Sequence, residues 1–266
     1  MDSIEIAALW EANAETWTRH ARAGYDATRD VLNTPAFVAM LPSVDGLEGL
    51  DIGCGEGSST RELAQLGARM SAIDIAPTFI RHAREADQAS PLGIDFSVGD
   101  ATALRVADAS FDFVTAIMSL MDMAHQGRVM KEAYRVLRPG GFLQFSILHP
   151  CFSPPHRKVL REEDGTVRAV EVGRYFEETN DRVETWQFST LPLEERKRTA
   201  PFRVPRFHRT LTSWVEMICR AGLVIQEFGE PCASIEVAQA NPIVADTRVA
   251  GQFLHVRAVK PRLLAL

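Results

Sequence analysis

Leu50-Asp51-Ile52-Gly53-Cys54-Gly55-Glu56-Gly57 is the stretch on which the reading of this chain turns. Leu47–Ile52 has the short apolar character of a buried strand, and it runs directly into three glycines. Ser58–Leu66 follows at helical spacing, and its Ser-Ser-Thr first turn suits a helix start. Glycines at such a junction let the chain turn sharply and let a ligand touch bare backbone. The helix start adds free N–H groups and the positive end of the helix dipole. An acid, Asp74, closes the next predicted strand, where a carboxylate can accept both hydroxyls of a ribose.

The glycine spacing separates two ligand classes. Dinucleotide oxidoreductases favour G-x-G-x-x-G, where backbone meets a pyrophosphate. Here the spacing is G-x-G-x-G, and Asp51 stands two residues before the first glycine. A negative charge there opposes a pyrophosphate and favours a ligand with an ammonium group and no phosphate.

Outward from this loop, strands and helices alternate. Arg69–Ile75 reads as a strand, Pro77–Ala89 as a helix with Pro in its first turn, and Ile94–Val98 as a short strand. Phe111–Met118 is strongly apolar, as a parallel strand buried on both faces must be. Gln126–Leu137 reads as a helix stopped by Arg138-Pro139-Gly140-Gly141, and Phe142–Leu148 as a further apolar strand. This alternation is the mark of right-handed βαβ units in a doubly wound α/β sheet. Residues 4–23 and about 30–41 have helical spacing. Residues 150–209 break the pattern, with a weak hairpin-like alternation over 168–189. Regular texture returns as a helix, Thr212–Ala221, and strands Leu223–Phe228 and Phe253–Val259. The expected organisation is one domain over 1–266: a helical cap (1–45), a cofactor-binding core (46–149), an insertion or lid (150–210) and the end of the sheet (211–266).

Composition narrows the partners. The 266 residues are 46% hydrophobic and 24% charged, which excludes a disordered chain or a bare coiled coil. The 29 Lys and Arg against 35 Asp and Glu give a formal charge of −6, which repels a phosphate backbone, so no nucleic-acid partner is expected. The Arg-rich stretch 196–209 reads as a solvated loop, with a gate for acidic substrates through Arg203, Arg206 and Arg209 as the alternative. Four widely separated cysteines predict reduced thiols and a cytoplasmic protein. No apolar run is long enough for a membrane span, and the acidic N-terminus is unlike a signal peptide. His149 and Cys151 form only an isolated pair, so no metal site is expected.

LDIGCGEG, Asp74 in SAIDIAP, Gly99-Asp100-Ala101 in FSVGDATAL, the strand FDFVTAIMSL, and VLRPGG before FLQFSILHP stand in order over about 47–148. Together they resemble the class I S-adenosylmethionine-dependent methyltransferases. The resemblance implies a Rossmann-like, seven-stranded doubly wound sheet whose last strand, Phe253–Val259, runs antiparallel. It implies S-adenosyl-L-methionine as cofactor and S-adenosyl-L-homocysteine as product. The cofactor contacts it implies are Asp51, Gly53, Cys54 and Gly55 in the loop, Asp74 and Ile75 at the ribose, and Asp100 and Ala101 at the adenine. Met118 and Ser119 after the fourth strand complete them, with Trp17 and Arg22 on the cap.

Nucleic-acid amino methyltransferases of this family carry [ND]-P-P-[FYW] after strand four, where this chain has Ser119-Leu120-Met121-Asp122. A small-molecule acceptor, methylated by in-line displacement, is therefore expected. The layout is similar to the branch that includes ubiquinone, sarcosine and antibiotic methyltransferases, and WEANAETWTRHARAGYD and SILHPCFSPPHR resemble a widespread bacterial group. His149, at the end of strand five, and His208, after the insertion, are the candidate catalytic residues. The alternatives are an RNA or protein methyltransferase, a protein that binds the cofactor without turnover, and a nicotinamide-dependent oxidoreductase.

Overall fold

A computed structural model describes residues 1–262; Leu263–Leu266, the end of the 211–266 segment, lie outside the described residues. The chain opens with helix α1 (Ser3–Arg22). Its start is fixed by a capping box: the Asp2 carboxylate accepts from the Ile4 and Glu5 amides, and Glu5 accepts from the Asp2 amide. The second helical stretch is a single π-type turn, Arg29–Asn33, that continues into α2 (Thr34–Met40). Then come β1 (Glu48–Ile52), α3 (Ser58–Gln65), β2 (Arg69–Asp74), α4 (Pro77–Ala89), β3 (Asp95–Val98), β4 (Phe111–Ile117), α5 (Gln126–Val136) and β5 (Leu137–Leu148). The insertion holds β6 (His156–Arg161), β7 (Val167–Gly173), β8 (Arg182–Trp186), α6 (Leu193–Arg198) and β9 (Phe202–Arg206). The described chain closes with α7 (Leu211–Arg220), β10 (Val224–Gly229), α8 (Ile235–Ala240) and β11 (Phe253–Val259).

Seven strands form one sheet in the order β10-β11-β5-β4-β1-β2-β3. β1 to β5 pair in parallel with their neighbours, and β11 runs antiparallel to both β5 and β10. This is the doubly wound sheet that the alternation predicts, with the antiparallel last strand that the resemblance implies. The strand order reverses between β1 and β4, and in such sheets ligands bind beyond the carboxyl ends at that point. Both faces are covered. Val129 and Met130 of α5 and Trp214 and Ile218 of α7 pack on one side, Leu63 of α3 and Ile80 of α4 on the other. Gly49 lets β1 approach β4, since a Cβ there would lie within 3 Å of the Phe113 ring.

Two expectations need correction. The chain turns between β6 and β7 at Asp164-Gly165, with Gly165 at φ +86°, and β8 finds its partner, β9, only after α6. Val170 therefore pairs with Val159 and Val183 with Pro205, so no hairpin joins 168 to 189. The Arg138–Gly141 turn is likewise absorbed into β5. A register irregularity opposite β4 accommodates it, and the Gly140 N–H donates to the Lys260 carbonyl.

The insertion docks on the cap through aromatic rings. Trp17 of α1 packs against Trp186, Phe188 and Phe202 with ring centroids 5.2, 5.0 and 4.9 Å away. Ala21, Leu191 and Val204 complete this cluster.

Candidate functional site

A cavity of about 480 Å³ opens beyond the carboxyl ends of the central strands. That volume suits a small ligand or cofactor. Sheet order sorts its walls into two halves.

The first half comes from the ends of β1, β2, β3 and β4. Gly53 turns at φ +73°, and a Cβ there would lie 2.6 Å from Ser119 Cβ. The Gly53 and Cys54 amides both donate to the Ile73 carbonyl, and Ser119 Oγ donates to the Ile52 carbonyl at 2.7 Å, so the loop is tied to β2 and β4. Gly55 also has positive φ, +56°, but nothing lies within 4 Å of where its Cβ would stand. The loop thus presents bare main chain to open space. Gly57 starts α3 with no side-chain cap, which leaves the first amides of the helix without a capping side chain beside the cavity.

Asp74 faces this loop. Its carboxylate accepts from the Gly55 and Ala76 amides, both at 2.9 Å. Burial pushes its pKa up to about 6, while the bonds from Ala76 and Gly55 pull the other way. Asp100 accepts from the amide and hydroxyl of Thr102, both at 2.8 Å. Burial opposes its ionisation, but the Thr102 bonds, with Ser3 and His125, together hold its pKa below the usual value.

Met118 stands at φ +55°, a region disfavoured for a side chain of its size. A buried network supports it there. The Met118 amide donates to Ser146 Oγ, Asn33 Nδ2 donates to the same oxygen, and His255 Nε2 donates to Asn33 Oδ1 at 2.8 Å. Burial lowers the His255 pKa to about 4, so the ring is neutral at physiological pH.

The second half comes from the far side of β4. Leu148 ends β5, Phe253 begins β11 with Gln252 just before it, and Asp246 sits on the short 3-10 turn Pro242–Arg248. β6 turns one face inward with Arg157, Val159 and Arg161, residues two apart as strand geometry requires. Asp122 also lines the wall. It is buried and accepts from Arg206 Nη1 at 2.6 Å. Burial raises its pKa to about 7 against the pull of Arg206, and Glu184 adds to the rise.

Of the residues singled out from the sequence, Gly53, Cys54, Gly55, Asp74, Ile75, Asp100, Ala101, Met118, Ser119 and Trp17 line this one cavity. Four lie off its walls. Asp51 is 1% exposed, and its oxygens accept from Thr60 Oγ1 at 2.6 Å and Thr115 Oγ1 at 2.9 Å. It braces the loop from beneath rather than facing a ligand. Arg22 reaches Glu56 at 3.4 Å and the His82 carbonyl at 2.9 Å, and Arg29 is the cap arginine on the wall.

Both candidate histidines are consumed by local structure. His149 Nδ1 accepts from the Cys151 amide, so Nε2 carries the proton that it donates to Glu230 at 2.7 Å. It holds the Pro150 loop. His208 Nε2 donates to the Tyr175 carbonyl at 2.7 Å. Burial lowers the pKa of both rings. The sequence reading missed Asn33, Gln252 and Asp246, and no local motif marks them. Among the described residues, no group of three or more His, Cys, Asp or Glu is placed to hold a metal ion.

Residues 50–145 match the model of the methyltransferase domain family. The chain is similar to a demethylmenaquinone methyltransferase of Renibacterium salmoninarum, 34% identical over 140 residues, covering 49% of this chain and 56% of that protein. It is similar to a ubiquinone biosynthesis O-methyltransferase of Xanthomonas oryzae pv. oryzae, 32% identical over 114 residues, covering 42% of this chain and 48% of the relative. The chain thus spans about half the length of these curated relatives. Among solved structures, an S-adenosylmethionine-dependent methyltransferase from Mesorhizobium loti superposes with a TM-score of 0.67 at 27% identity, covering 85% of this chain and 96% of that one.

S-adenosylmethionine is the cofactor these comparisons imply, and the methyltransferase domain's residues fit it. Asp74 and Asp100 bring two carboxylates to the cavity that could accept from ribose hydroxyls and an adenine amino group, and the main chain at Gly55 faces open space.

Proposed function

We propose that this protein transfers a methyl group from S-adenosylmethionine to a small-molecule acceptor, and that it does so in the cytoplasm. One observation carries the reading: a bare-backbone loop and two ribose- and adenine-reading carboxylates share a cavity with a second, differently built half across β4. Bound S-adenosylmethionine supplies an electrophilic methyl on a sulfonium. The chain's own task is to hold two reactants in line and keep water out, which is worth up to roughly 7–11 kcal/mol of the barrier.

Trp17 and Trp186 help to close the cavity from the cap and the insertion. Small size of the acceptor is supported by the cavity's volume and by the formal charge of −6, which disfavours a nucleic-acid backbone. The cytoplasmic placement is supported by four free cysteines; no described helix is long and apolar enough to cross a membrane.

The test is transfer of label from methyl-tritiated S-adenosylmethionine to pools of phenols, amines and keto acids, run beside bulk RNA. Label in a small-molecule pool supports the proposal, and label in RNA alone overturns it.

A further inference from the structure

Two residues on the acceptor half of the cavity each carry a buried oxygen with no partner among the described residues. Asp246 is 6% exposed and lines the cavity. Its Oδ2 takes the Arg157 guanidinium, while Oδ1 has no partner among the described residues. Gln252 lines the same cavity, and its buried Oε1 has no partner among the described residues either. Interiors seldom leave a buried acceptor unpaired.

Both residues are firmly placed. The turn that carries Asp246 is tied down by Thr247 Oγ1, which donates to the Val244 carbonyl and accepts from the Ala233 amide, and by Arg248, which donates to the Ala233 carbonyl. The Gln252 carbonyl accepts from the His149 amide at the start of β11.

Sheet order assigns this pair to the acceptor rather than the cofactor. Three strand spacings of about 4.8 Å separate β5 from β2, so the β5–β11 side stands roughly 14 Å from the Asp74 side. We infer that Asp246 and Gln252 form the subsite that receives a hydroxyl group of the acceptor, on an otherwise apolar molecule.

Charge and shape fix that chemistry. Arg157 cancels the charge of Asp246, so an ammonium group at Oδ1 would face a guanidinium and a carboxylate would face Asp246. A neutral donor meets neither. Met118, Leu148, Ile243 and Phe253 supply apolar wall around the pair.

The inference rests on the methyltransferase reading, and the experiment separates the two. The protein is first titrated with S-adenosylhomocysteine, then saturated with it and examined by ligand-observed NMR with phenol, anisole, benzylamine and benzoate. Phenol should bind at least tenfold tighter than each of the other three. Asp246→Asn should erase that preference: Arg157 keeps the amide oxygen, and the NH2 group then turns a donor toward the cavity. Gln252→Leu should weaken phenol several-fold with S-adenosylhomocysteine affinity unchanged, and it serves alone where Asp246→Asn does not fold. Equal binding of phenol and anisole, preference for benzylamine or benzoate, or undiminished phenol binding in these variants overturns the subsite. Failure to bind S-adenosylhomocysteine overturns the methyltransferase reading and the subsite with it.

Discussion

At the scale of single residues, Asp74 has the sharpest consequences. An unfolded aspartate titrates near 4, and in the folded chain Asp74 titrates at about 6. Its contribution to stability is therefore fully present below about pH 4 and is lost as pH rises through 6, leaving a cost of about 3 kcal/mol at neutral pH. Ribose hydroxyls donate to the ionised form. S-adenosylhomocysteine affinity should accordingly fall about tenfold per pH unit below 6, and Asp74→Asn should flatten that profile while weakening binding at pH 7.5. Calorimetry between pH 5 and 8 checks this, and a flat profile in the native protein would contradict it. These residues were legible because glycine spacing and a strand-end acid are local signals. The facing of Asp51 was not, since a motif names a residue without saying which neighbours will take its oxygens. The partners of His149 and His208 were not legible for a similar reason: Glu230, which holds one ring, is 81 positions away along the chain.

At the scale of elements, the insertion and cap are held together by a few large contacts. Trp17→Ala removes the ring between α1 and the β8–β9 pair and should cost about 3–5 kcal/mol. Amide exchange should speed up in β8 and β9 while β4 and β5 stay protected; unchanged exchange in the insertion would refute the docking. Arg206→Leu leaves the Asp122 carboxylate buried without its cation, an effect of about 3–5 kcal/mol. Asp122 already titrates at about 7, and loss of Arg206 raises it further, so protonation relieves the variant at low pH. The melting-temperature gap to the native protein should thus be smaller at pH 6 than at pH 8. A gap independent of pH would remove Asp122 from this account. The βαβ core was readable because its strands and helices alternate along the sequence with short connections. β8 and β9 were not, because α6 and its loops separate them and their alternation is weak.

At the scale of the molecule, one sheet order divides a single cavity into two differently built halves, which the proposed function assigns to cofactor and acceptor. The seven-stranded sheet was legible from alternation and from the resemblance of its motifs. The acceptor side was not, since β6, the turn before β11 and β11 itself meet there from distant parts of the chain. With a formal charge of −6, the protein should pass through a heparin column at low salt, and salt-dependent retention would reopen a nucleic-acid acceptor. The central claim is that the Gly53–Gly55 loop and Asp74 cradle S-adenosylmethionine, and calorimetric titration with S-adenosylhomocysteine tests it most directly. The account predicts one-to-one binding at micromolar concentration, abolished by Asp74→Ala and by Gly55→Val. Absence of heat and of any thermal shift, or native affinity in either variant, would contradict it.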